Sequence, residues 1–267
     1  MSLNRIMAIV LRQFYLLRGS PARILPLFIW VAIDIVLWGF MTRYLNGFAL
    51  PGMDFVAMIL GSVLLWDFCI RIMHGVSMAF FEDVWSRNFL NIFATPLLIP
   101  EYVTGLVVTS VMTSSVGVLV MLGLASGVFG LSFLIYGLTL VPFIILLFIF
   151  GTALGIAGCA IVLRLGPAAE WLIWPIPAIL APFVGVFYPV SVLPGWMQLV
   201  SRVLPPSYVF EGMRIAVAGG GFSSRDFLAA GCLSLAYVLL AYLFFDRTYQ
   251  HALKTGLIAR YSAENLS

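Results

Sequence analysis

Lysine occurs once in this 267-residue chain, at Lys254, and residues charged in any way make up 9% of it. Soluble domains carry about 25% charged residues. With 63% hydrophobic residues and a mean hydropathy of +1.10, a soluble fold is excluded. The scarcity of lysine also removes a chemistry. A nucleotide-binding P-loop needs G-x-x-x-x-G-K-[ST], its lysine on the phosphates, and the chain has no match. The two histidines, His74 and His251, are far apart, and neither H-x-x-x-H nor C-x-x-C spacing occurs; a zinc site is not expected. No G-x-S-x-G nucleophile elbow is present. The expectation is a chain with no catalytic residues, metal or cofactor of its own. The net charge of +3 is dispersed, unlike the clustered basic face of a nucleic-acid binder. The cysteines Cys69, Cys159 and Cys232 all lie in apolar runs; an odd count at expected buried positions argues against a disulfide framework. The opening MSLNRIMAIVLRQF threads arginines through its apolar residues, unlike a secretory leader.

What is abundant is long apolar sequence. Tyr102 to Leu163 contains no Asp, Glu, Lys, Arg or His, enough for a membrane hairpin, since about 20 apolar residues cross a bilayer. Lipid admits only helices or closed barrels. Barrel strands alternate apolar with polar, and LVPFIILLFIF (Leu140 to Phe150) does not. The expected fold is an all-α integral membrane bundle of six spans, at about 24–44, 55–80, 103–126, 133–163, from 171 to about 187, and 227–245. It forms one transmembrane domain over 1–267. Leu3, Ile6, Met7, Val10, Phe14 and Leu17 form one helical face of an N-terminal segment, 3–18, with Asn4, Arg5, Arg12 and Arg18 off that stripe; this is the pattern of an interfacial helix.

The basic residues orient the bundle. With the N-terminus inside, Arg5, Arg12, Arg18, Arg23, Arg87, Arg164, Arg247, Lys254 and Arg260 face the cytosol, against Arg43, Arg202, Arg214 and Arg225 outside. Both termini are then cytosolic. So is a polar island between spans 2 and 3, carrying Glu82, Asp83, Arg87 and Glu101. Its residues 82–95 read as a helix, with Glu82 and Asp83 at its start where carboxylates complement the dipole and Phe81, Trp85, Phe89 and Ile92 on an apolar face. The stretch Trp171 to Ser201, which begins with the fifth span, holds Pro175, Pro177, Pro182, Pro189 and Pro194. Such breaks survive at membrane depth only where protein or a cavity covers the freed backbone. The segment 188–218 is therefore read as short helices dipping back into the outer leaflet.

Three charges lie within spans. Asp67 and Arg71, four apart, can pair along one helix, and Asp34 on span 1 could reach Arg71. A charge at a span centre costs roughly 2.5–3.5 kcal/mol on insertion scales. Two readings stand: an ion pair joining spans 1 and 2, or a polar patch on a translocation path. Glu211 and Arg214, three apart, read as a pair within an outer helix, with an exit gate as the alternative.

Two stretches carry a family resemblance. EDVWSRNFLNIFATPLLIPEYVTG (Glu82 to Gly105) resembles the cytosolic coupling segment of ABC-2 type transporter membrane subunits: an acidic residue (Glu82), a helix, Thr95-Pro96, then a turn into the third span at Glu101-Tyr102. VGVFYPVSVLPGWMQLVSRVLPPSYVFEGMR (Val184 to Arg214) is similar to that family's signature before the last span, through Tyr188, Pro189, Leu193, Pro194, Trp196, Pro206, Tyr208 and Arg214; Pro205 stands where the family often has Asn. The tail from Arg247 to Tyr261 is also similar. The resemblance implies a permease subunit in a bacterial cytoplasmic membrane. It would dimerise with a second copy and be energised by two copies of a separate ATPase holding ATP and Mg. By carry-over Glu82, Asp83, Trp85 and Arg87 would contact the ATPase, and Tyr188, Pro189, Tyr208, Glu211 and Arg214 would form an outer gate. An amphipathic cargo is expected: a drug-like molecule, a lipid or a lipid-linked glycan. Two rivals remain: an ion-coupled secondary transporter using Asp34 and Asp67, and a membrane scaffold that moves nothing.

Overall fold

The computed structural model describes residues 1–48, 56–86, 88, 91–92, 94–130, 140–221 and 223–256. Every regular element among them is helical. The α-helices are α1 (Leu3–Arg18), α2 (Pro21–Asn46), α3 (Gly61–Trp85), α4 (Ile99–Phe129), α5 (Leu140–Leu165), α6 (Ile176–Val184), α7 (Gly195–Val203), α8 (Pro205–Val217) and α9 (Ser224–Thr255). A wide π-type turn, Val56–Leu60, runs into α3. Among the described residues five segments are long and apolar enough to cross a membrane: Met58–Trp85, Ile99–Phe129, Leu140–Leu165, Pro167–Val184 and Ser224–Thr255. The chain is thus a helical, multi-pass membrane protein.

Lipid tails are as apolar as leucine, so helix association here rests on close packing and interhelical hydrogen bonds. The α3–α5 contact is built that way. A Cβ on Gly151 would stand 2.6 Å from the Cys69 carbonyl oxygen, and one on Gly155 2.9 Å from that of Met73 and 2.7 Å from the Val76 Cβ. Glycine lets the two backbones meet. On α4, the Ser110 hydroxyl donates to the Ile72 carbonyl at 2.9 Å, tying it to α3. Helix α5 also packs along α9 and against α8.

The bundle has two ends. At one, Ile9, Phe80, Phe81, Tyr102, Leu163, Phe245 and Tyr249 are buried together. This end gathers α1 and the C-terminal turns of α3, α5 and α9. At the other, Phe68, Phe143, Phe150, Val184, Phe210, Met213 and Ala230 form a second cluster. Ile35, Leu64, Met121 and Ala125 join α2 to α3 and α4.

Several expectations are corrected. No separate helix starts at Glu82. Helix α3 continues to Trp85, because nothing between His74 and Trp85 stops it except Gly75, which is packed against Ser110. Glu82 and Asp83 therefore stand in a last turn rather than a first. Past a turn at Ser86, only Asn91 and Ile92 are helical among the described residues up to Ile99. The segment from 171 to 187 is not one helix. Pro167–Leu172 is a 3-10 turn, and α6 is nine residues long, about 14 Å. Pro175 and Pro177 lack the N–H groups that would join the two pieces. Cys232 is exposed on α9, whereas Cys69 and Cys159 are buried. Arg87, Phe89 and Arg260 lie outside the described residues.

Candidate functional site

At the first end, α1 is held to α3 and α4 by buried carboxylates. The Asp83 carboxylate is wholly enclosed. It forms an ion pair with the Arg12 guanidinium through Oδ1, and its Oδ2 accepts the Tyr102 hydroxyl at 2.7 Å. One anion thus joins α1, α3 and α4. Gln13 adds a hydrogen bond from its amide nitrogen to the Ala79 carbonyl at 3.3 Å. Glu101, also buried, lies in the first turn of α4 and caps it, its Oε2 accepting the Leu98 N–H at 3.0 Å. The same carboxylate accepts the Ser2 N–H at 2.6 Å and lies 3.3 Å from Arg5 Nη1.

The expected coupling residues divide here. Asp83 faces inward and is closed to a docking partner. Glu82 is half-buried, Trp85 is 49% exposed, and the Trp85 ring lies tilted against Phe81 at 6.0 Å. Sequence reading missed Arg12, Tyr102 and Glu101 as the partners that fix this end. Glu101 had a local signal, since an acid three residues into a helix reaches back to the capping N–H.

The three intramembrane charges do converge. Arg71 Nε donates to Asp67 Oδ2 at 2.6 Å, the pairing expected from their spacing. Asp34 lies within electrostatic reach of both, yet it makes no hydrogen bond or ion pair with a described residue. Arg71 runs past Gly117 of α4, where a Cβ would sit 3.7 Å from its Cδ. A groove of about 510 Å³, open at one side, has none of these three charges in its lining. Trp66, Ile70 and His74 of α3 form one wall. Trp174, Pro177, Ala178, Ala181 and Pro182 form the other, and Phe187 and Tyr188 close it. The His74 and Trp174 rings are 4.6 Å apart. Trp38, one turn along α2 from Asp34, stacks on Phe187 at 5.0 Å. No local sequence pattern marks this groove, whose walls come from distant segments.

At the second end the expected gate residues lie in a tied segment. Glu211 Oε1 accepts both the Val190 N–H at 2.6 Å and Arg214 Nη2 at 3.0 Å. The Tyr188 hydroxyl donates to the Pro182 carbonyl at 2.9 Å, and that of Tyr208 to the Arg202 carbonyl at 2.8 Å. Gly185 permits the fold-back with a left-handed φ of +72°, where a Cβ would stand 3.1 Å from Arg214 Nη2. Pro189 is exposed beside this link. The Glu211–Arg214 pair is therefore part of a brace that also holds the 3-10 turn Val190–Val192.

No metal-ligating cluster of His, Cys, Asp or Glu occurs among the described residues. No protein-family model matches the chain, and no curated protein matches it.

Proposed function

We propose that the chain is the membrane subunit of an ABC-2 type exporter, driven by a separate ATPase. The observation that best supports this is the double anchoring of α1 beside the exposed Trp85. Through Arg12–Asp83–Tyr102 and Arg5–Glu101, α1 and the ends of α3 and α4 move as one piece. A partner pressing on the chain between Trp85 and Leu98 would displace two spans together. A chain without a P-loop needs such an external source of energy.

In this reading α2 is a sixth span; at 26 residues it is about 39 Å long. The segment 188–218 re-enters the outer leaflet, and both termini face the cytosol of a bacterial cell. Two such chains bind two ATPase copies, which hold the ATP and Mg. Glu82, Trp85 and Arg87 contact the ATPase, while Asp83 acts from behind through Arg12. An amphipathic cargo is exported past the groove and the Glu211 brace.

A mild-detergent pull-down of the tagged chain from its native membrane, with mass spectrometry and an ATPase assay, tests this. The expected result is a near-stoichiometric P-loop subunit that hydrolyses ATP and is lost on Glu82→Arg. Recovery of an intact complex of this chain with no such subunit would overturn the reading in favour of ion-coupled transport.

A further inference from the structure

Helix α9 carries one exposed stripe along its second half. Ala236, Leu240, Leu243, Arg247, His251 and Lys254 are all exposed. They follow one another at steps of four or three residues, so they share one face of the helix. The opposite face, with Ala241, Phe245, Thr248, Tyr249 and Ala252, is buried in the bundle. Along the stripe the chemistry changes once, from apolar to basic, between Leu243 and Arg247. Neither Arg247 nor Lys254 forms an ion pair with a described residue. Asp246, the acid nearest in sequence, is half-buried and about 100° round the axis from Arg247. Asp83 and Glu101, at the same end of the bundle, are taken by Arg12 and Arg5, and the exposed Arg164 at the end of α5 adds a further cation there. A cation near a helix C-terminus complements the dipole, but that effect fades within one turn. It accounts for Lys254 and not for Arg247, which stands more than two turns before Thr255.

We propose that this stripe binds an anionic phospholipid. One acyl chain lies along Ala236, Leu240 and Leu243. The phosphate takes Arg247 and His251, which are one turn apart, about 6 Å along the axis, and Lys254 faces the rest of the headgroup. A guanidinium forks onto two phosphate oxygens, and the stems of arginine and lysine lie along apolar surface while their heads reach polar groups. An acidic protein surface would match the cations but not the exposed leucines that lead into them; a lipid matches both. A zwitterionic lipid offers the same phosphate but brings its own cation, which this stripe repels. The site goes beyond the exporter reading and needs neither an ATPase nor a cargo.

The test is native mass spectrometry of the full-length chain, purified in mild detergent and titrated with phosphatidylglycerol or with phosphatidylcholine of the same acyl chains. Saturable binding of phosphatidylglycerol is expected, at least ~tenfold tighter than that of phosphatidylcholine, as two basic residues at an anionic headgroup require. Arg247→Gln and Lys254→Gln should each weaken it about fivefold, and Arg247→Lys should keep most of it. Arg225→Gln removes an exposed cation from the other end of α9 and should leave binding unchanged. Excess inorganic phosphate should not displace the lipid, since it has no chain to lie on the leucines. Equal binding of the two lipids would overturn the proposal. So would phosphatidylglycerol binding that survives both glutamine substitutions together, a loss in Arg225→Gln equal to that in Arg247→Gln, or displacement by inorganic phosphate.

Discussion

Asp83 and Asp34 lie in the same bundle and have opposite surroundings. Asp83 is enclosed, and its two oxygens are taken by Arg12 and Tyr102. Asp34 is partly exposed and lies within electrostatic reach of Arg71, whose Nε is bonded to Asp67. A buried carboxylate with its partners in place is a structural joint. A carboxylate that makes no hydrogen bond to a neighbouring helix does not join helices in that way. The contrast separates, within a single chain, a charge tied into the bundle from one that makes no hydrogen bond to a described residue.

The largest expected effect is at the joint. Asp83→Ala leaves the Arg12 guanidinium and the Tyr102 hydroxyl without their anion, and breaking such a pair costs about 3 kcal/mol. Equilibrium unfolding in mixed micelles should show this loss. A cycle with Arg12→Ala should give a coupling of about 1–3 kcal/mol. Additive effects of the two substitutions would mean that α1 is not held through this pair. Tyr102→Phe removes one hydrogen bond to a charged group and should cost about 1.5 kcal/mol, with the same measurement deciding it.

Glu211 falls between the two cases. It has two partners, the Val190 N–H and Arg214, but its side chain is 38% exposed. Water can replace part of what Glu211→Ala removes, so the expected cost is about 1 kcal/mol. The local sign is faster amide exchange at Val190, with exchange in α5 unchanged. Protection of Val190 equal to that of the parent protein would show that the brace does not hold this turn.

How far each site was legible follows from the distance over which it is built. The apolar runs mark α4, α5 and α9 because a chain in lipid must satisfy its own backbone. Asp67–Arg71 and Glu211–Arg214 are visible as helical spacings. Pro175 and Pro177 signal a break, though their sequence does not say that it splits the segment into a 3-10 turn and a nine-residue helix. The Glu82–Asp83 pair misled, because adjacent acids suit a helix start. Here the tertiary pairing with Arg12 outweighs that weak preference and holds Asp83 in a last turn. Arg5 and Glu101 are 96 positions apart, and no local pattern joins them. The groove is likewise beyond local patterns, since it exists only once α3 and the segment around Trp174 and Phe187 are packed.

The smallest stability effect, and the sharpest test of the contrast, belongs to Asp34→Asn. The amide keeps the size of the side chain and removes a charge that has no described ion-pair partner. Since Asp67 retains Arg71, nothing in the bundle loses a salt bridge. Unfolding in mixed micelles should therefore give a change within about 0.5 kcal/mol of zero or a gain in stability, because a neutral group is less costly than a charge at that depth. A loss approaching that of Asp83→Ala would make Asp34 a second joint and erase the distinction.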